Sequence, residues 1–180
     1  MVRSNAVLLC FVLAGCGGAC GGGEEAARTS AEQSSSPAAE PPAPASPAEL
    51  APVLDAYETL CASLAEGNVE RLFEQSATLE AAASQAAAGA PEAQKRHLEE
   101  LATAAARLAE TPRGDVTEAR RSFGEVSRHL VALTGVAPTL GEGLQVYTCE
   151  RALGFQSWVQ RRGDMRSPYT DDSCGSPATP

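Results

Sequence analysis

Three sulfur-bearing side chains near the end of the chain offer the most distinctive chemistry in the sequence: Cys149, Met165 and Cys174. Two thiolates and a thioether are the soft ligands that Cu(I) selects, so the trio is a candidate Cu(I) site. The competing chemistry is oxidation. In an oxidising compartment Cys149 and Cys174 can form a structural disulfide, and closing a loop of about 25 residues contributes on the order of 3 kcal/mol in the loop-entropy picture. The two need not exclude each other, because a reducible pair can cycle between them. Cys61 falls among apolar residues at helical spacing and reads as a small buried hydrophobe. His97 and His129 each follow an arginine, Arg96 and Arg128, and read as solvated helix edges. Trp158, with Pro168 and Tyr169 beyond it, reads as an anchor that packs the end of the chain onto the rest. The acidic pairs Glu99-Glu100 and Asp171-Asp172 read as solvated surface, although the hard oxygens of Asp171-Asp172 would suit a different metal from the cysteines. No histidine pair has metal spacing, no serine is framed by glycines, and no cysteine has a base beside it in sequence. The chain is therefore not read as an enzyme.

These residues belong to the last two thirds of the chain, and the first 46 residues have another character. Leu13-Ala14-Gly15-Cys16 resembles the lipobox of bacterial lipoproteins, preceded by Arg3 and by an almost wholly apolar run from Ala6 to Ala14. The resemblance implies that residues 1–15 are a signal peptide and that Cys16 carries lipid as the first residue of the mature chain. It implies a periplasmic domain held to a membrane by acyl chains, in a compartment where disulfides persist. Gly17 stands where Asp would mark inner-membrane retention, so the implied address is the outer membrane. The apolar run is far shorter than the ~20 residues of a spanning helix. Residues 16–46 are dominated by Gly, Ala, Ser, Pro and Glu and read as a disordered tether, roughly 30 Å long on average. The glycine run from Gly17 to Gly23 lacks the flanking strand, lysine and helix of a phosphate loop. The chain has 14 basic and 23 acidic residues, net −9, and loss of Arg3 with the signal leaves 13 against 23, or −10. That balance has no electrostatic footprint for nucleic acid, and no polybasic patch for anionic lipid.

Hydrophobic periodicity then predicts the scaffold. Ser46-Pro47-Ala48-Glu49 is a capping box with Pro at the first helical position, and Leu50, Val53, Leu54, Tyr57, Leu60, Cys61 and Leu64 follow at helical spacing to a stop at Gly67. Asn68 is the expected cap of a second helix, with Val69, Leu72, Phe73, Ser76 and Leu79 inward and Gly89 as its stop. Pro91 opens a third helix with Leu98, Leu101, Ala105 and Leu108 inward. Asp115-Val116-Thr117-Glu118 is a second capping box before Ala119, Phe123, Val126, Leu130 and Leu133, and Gly135 and Pro138 close that helix. Four amphipathic helices with short connections predict an all-α domain, an antiparallel four-helix bundle over 47–135. Residues 136–180 lose the helical period and read as an irregular, partly extended tail packed on the bundle, with short strands at Leu144, Val146 and Trp158-Val159. A tail of that length needs a cross-link or a metal to pin it. Cys10 leaves with the signal and Cys16 takes lipid, so Cys61, Cys149 and Cys174 remain in the folding part; either one stays free or Cys20 joins them.

The ordered series Tyr57 and Leu60, then Arg120-x-x-Phe123-x-x-x-Ser127, then Cys149, Trp158, Ser167-Pro168-Tyr169 and Cys174-Gly175 resembles the DUF3347 domain family over roughly residues 50–176. Members of that family are periplasmic or lipoprotein domains, some fused or adjacent to heavy-metal efflux adaptors of the copper/silver type. The resemblance implies a part in copper handling, a thiolate and thioether site in the tail, and efflux components as partners. Where the family has Cys-Pro-Met this chain has Cys149-Glu150-Arg151, and Asp171, Asp172 and Ser173 stand where a methionine usually precedes the last cysteine. Two functions are thus expected: a tethered periplasmic domain binding Cu(I) or another soft metal in support of efflux or homeostasis, or a non-catalytic envelope interaction module whose tail is pinned by a Cys149–Cys174 disulfide.

Overall fold

The computed structural model describes residues 46–172 and 174–178, all within one compact unit that spans Ala39–Pro180. The expected signal peptide, Cys16 with its expected lipid, and nearly all of the expected tether lie outside the described residues. The protein is mostly helical. Its elements are helices α1 (Pro47–Ala65), α2 (Leu72–Gly89), α3 (Glu92–Ala109), α4 (Val116–Val136) and the single turn α5 (Pro138–Gly141), then strands β1 (Leu144–Thr148), β2 (Ser157–Arg161) and β3 (Ser176–Pro177).

The first capping box forms as the sequence requires. Ser46 Oγ accepts from the Glu49 amide at 3.4 Å, and the Glu49 carboxylate accepts from the Ser46 amide at 2.6 Å. Those bonds from Ser46 hold the Glu49 carboxyl below its ordinary pKa. Leu50, Tyr57, Leu60 and Leu64 are fully buried, and Gly67 turns the chain with φ +66°. At α4 the Asp115 carboxylate accepts from the Glu118 amide at 2.9 Å. Helix α4 then continues through Gly135 to Val136.

The second helix differs from expectation. Asn68 does not cap it; its side-chain Oδ1 accepts from the Glu70 amide at 3.1 Å and shapes a turn, and the helix begins at Leu72. The inward stripe is Leu72, Ser76, Leu79, Ala83 and Ala87. Phe73, expected inward, lies one residue and about 100° round from that stripe, and is 68% exposed. The Ala-rich stretch packs closely against α3, with Ala83 and Ala105 fully buried. Each long helix packs on its successor in chain order: α1 on α2, α2 on α3, α3 on α4.

Residues 136–180 are more regular than a loose tail. Strands β1 and β2 pair antiparallel with Val146 opposite Val159 and Tyr147 opposite Trp158, and β3 pairs with the other edge of β1, giving the order β2-β1-β3. An all-α description therefore gives way to a helical domain with a small sheet, because cross-strand aromatic pairing and burial against α4 favour extended backbone here. Glycine permits a close approach between this region and α4. Helix α4 meets the backbone of Phe155 at Gly124, where a Cβ would sit 3.3 Å from the Phe155 amide nitrogen.

Candidate metal centre

The sulfur residues are settled first by covalent chemistry. Cys149, just past β1, and Cys174, just before β3, are joined as a disulfide across 25 residues, with Cα atoms 5.5 Å apart. A disulfide has no thiolate to donate, so the donor set in this state does not fit Cu(I), and the soft site expected of Cys149, Cys174 and Met165 would require reduction. Met165 is half-buried and packs on Gly175, the residue after Cys174: a Cβ there would lie 2.7 Å from the Met165 sulfur and 2.5 Å from Trp158 Cη2. Gly175→Ala is accordingly expected to destabilise the domain by about 1–3 kcal/mol through overpacking, read as an earlier urea midpoint. Cys61 is the free cysteine among the described residues. It is buried, and desolvation pushes its thiol pKa well up. Folded protein is expected to resist maleimide labelling at Cys61, with labelling appearing only as the chain unfolds; rapid labelling at low temperature without denaturant would contradict this burial.

The packing role expected of Trp158, Pro168 and Tyr169 is what the structure shows. All three are buried. The rings of Trp158 and Tyr169 extend a chain of aromatic contacts across the molecule: Tyr147 stacks on Trp158 with centroids 5.4 Å apart, Trp158 meets Tyr169 edge-on at 5.9 Å, Tyr169 meets Phe123 at 6.1 Å, and Phe123 stacks on Tyr57 at 5.2 Å. Polar bonds lock the same chain. The Tyr57 hydroxyl bonds Ser127 Oγ at 2.8 Å and accepts from the Val159 amide at 3.3 Å, and the Tyr169 hydroxyl donates to the Ser157 carbonyl at 2.8 Å. Burial raises the pKa of both tyrosines, so both stay neutral. Arg120 donates twice to the Leu64 carbonyl at the end of α1, at 3.2 and 2.8 Å, and pairs with Asp171 at 2.5 Å. The Arg-x-x-Phe-x-x-x-Ser residues of α4 are thus joints between α1 and the tail. Asp171-Asp172 is exposed, as expected, and also ion-paired: Arg151 grips Asp172 through two bonds of 2.8 and 3.0 Å, which hold that carboxyl below its usual pKa.

A different cluster has metal-binding geometry. His97 and Glu100 lie three residues apart on α3, hence on one face, and α4 packs against that face with His129 opposite. One ligand atom from each of the three lies within 4.8 Å of the others. His97 Nδ1 is 3.6 Å from Glu100 Oε2, and His129 Nδ1 is 3.2 Å from the same oxygen. Tetrahedral zinc with bonds of about 2.1 Å separates its ligand atoms by roughly 3.4 Å, so the carboxylate oxygen already stands at ligand-to-ligand distance from both imidazoles. The His97 and His129 side chains are only 14% and 22% exposed, and His97 Nδ1 is buried without a hydrogen-bond partner. An orphaned buried ring nitrogen aimed at a carboxylate and a second imidazole can hold a metal ion.

The two histidines, expected at solvated helix edges, are half-buried where α3 meets α4. Arg96 and Arg128 do face solvent, but their neighbours turn toward the α3–α4 seam, one residue round each helix. The His-x-x-Glu spacing of His97 and Glu100 was the available signal. Comparison with family models, curated proteins and solved structures finds no match.

Proposed function

We propose that this chain is a lipid-tethered, non-catalytic periplasmic domain that binds a borderline divalent metal ion, of the Zn²⁺ class, through His97, Glu100 and His129. The observation that carries the reading is His97 Nδ1, buried and without a hydrogen bond, 3.6 Å from a Glu100 oxygen that is itself 3.2 Å from His129 Nδ1. Two imidazoles and a carboxylate suit Zn²⁺ and its neighbours better than Cu(I), which prefers sulfur. The Cys149–Cys174 disulfide supports export to an oxidising compartment, in keeping with acylation at Cys16 and an outer-membrane address. Within this reading α1–α4 form an antiparallel four-helix bundle, and the sheet and cross-link brace the end of α1 and the face of α4. The likeness to DUF3347 domains supports a place in metal homeostasis or efflux, with efflux components as partners.

Isothermal titration of residues 46–180 with Zn²⁺ tests it. One ion per chain is expected, with affinity falling tenfold or more in both His97→Ala and His129→Ala, while circular dichroism shows each variant folded. Replacing Cys149 and Cys174 together by Ser is expected to leave zinc affinity unchanged. Loss of binding in the cysteine variant but not in the histidine variants would overturn the assignment in favour of the sulfur site.

The disulfide and the aromatic chain favour a second reading, an envelope interaction module held rigid for protein contacts. That reading expects no metal-dependent change in stability, whereas the first expects Zn²⁺ to raise the melting temperature.

A further inference from the structure

Resting on the metal reading, we infer that the metal is held together with a small carboxylate ligand, seated in the groove between α3 and α4. That groove has a volume of about 510 Å³, within the size range of small-molecule sites, and is lined by both Glu100 and His129. A metal bonded to those two side chains therefore presents its remaining coordination position to the groove. Three protein ligands leave at least one position open in a tetrahedral ion, and an oxygen donor fills it well.

The charge in the groove points to the sign of that donor. Arg96 and Arg107 line the groove and are exposed, and neither has an ion-pair partner among the described residues. The acidic residues beside them are engaged otherwise: Glu99 pairs with Lys95 at 3.8 Å, and Glu125 with Arg128 at 3.2 Å. Arg96 is one turn before Glu100, and Arg107 is two turns after it, about 10 Å along the axis. Arg96 and Arg107 thus stand on either side of Glu100 along the groove. Three glutamates also line the groove, but Glu99 and Glu125 pair with Lys95 and Arg128 outside it, so Arg96 and Arg107 are the lining's cations without an ion-pair partner among the described residues. Guanidinium is the side chain best matched to a carboxylate, through paired hydrogen bonds. The ligand class that fits is a dicarboxylate: one carboxylate bonded to the metal and the other on an arginine.

Succinate is the probe, because it binds Zn²⁺ weakly in solution. Native mass spectrometry would follow residues 46–180 with Zn²⁺ alone, with succinate alone, and with both. The expected result is a one-to-one-to-one complex of chain, zinc and succinate, at least tenfold less populated in Arg96→Ala/Arg107→Ala, which still takes up one zinc. Wild-type protein that binds zinc but forms no ternary complex overturns this inference and leaves the metal reading standing. Equal uptake of succinate by metal-free protein, or by the double arginine variant, overturns the bridged arrangement. Protein that takes up no zinc overturns both together.

Discussion

Trp158→Ala should lower unfolding free energy by about 3–5 kcal/mol, the cost of removing a large side chain from a closed core. The ring is fully buried and touches both Tyr147 and Tyr169, so its loss severs the aromatic chain between the sheet and α4. It also removes the surface against which Gly175 packs. Chemical denaturation monitored by far-ultraviolet circular dichroism measures the loss, and tyrosine fluorescence in the variant reports whether the tail has detached. Trp158→Phe is the informative control. The indole Nε1 is buried without a hydrogen-bond partner, so phenylalanine keeps most of the packing and removes an unsatisfied donor. It should cost well under half as much. Equal losses in the two variants would mean that the indole nitrogen, rather than the ring's bulk, holds the tail.

The second large effect is that of the cross-link. Replacing Cys149 and Cys174 together by Ser should cost about 3 kcal/mol, as expected for opening a loop of this length. The loss will fall unevenly. Strand β3 is two residues long and pairs with β1, so beside that short ladder and the packing of Gly175 on Trp158 and Met165 the disulfide is the main tie on residues 174–178. Limited proteolysis of the variant should cut first between Arg161 and Cys174, while α1–α4 resist. Uniform proteolysis through α2 and α3 would instead show that the cross-link supports the whole domain. Mild reduction of the wild-type chain should reproduce the variant's pattern.

Much of this architecture was legible in the sequence, for local reasons. Ser46 with Glu49, and Asp115 before Glu118, are short-range caps, and a cap depends on only four consecutive residues. The inward faces of α1, α3 and α4 follow from the 3.6-residue period. Trp158 stands out as the one tryptophan in a chain with 4% aromatics. The elements that were not legible depend on rotation and register between segments. Phe73 shares its apolar character with Leu72, and only the start of α2 decides which of them faces inward. The choice between disulfide and soft-metal site for Cys149 and Cys174 rests on the distance between two strands' ends, which spacing along the chain does not give. The His97–Glu100–His129 group is the clearest case. Its members come from two helices, separated by a turn with no pattern of its own, and their charged neighbours suggest solvent. Only the facing of α3 against α4 brings the two imidazoles to one carboxylate.

That facing is also where the functional reading is most exposed to test. Crystals of residues 46–180 soaked with Zn²⁺, with anomalous data collected on either side of the zinc edge, locate the ion directly. The expected result is a single strong peak at about 2.1 Å from a nitrogen of His97, a nitrogen of His129 and an oxygen of Glu100. A peak at Met165 and Cys174, or none between α3 and α4 at full soaking concentration, would contradict it.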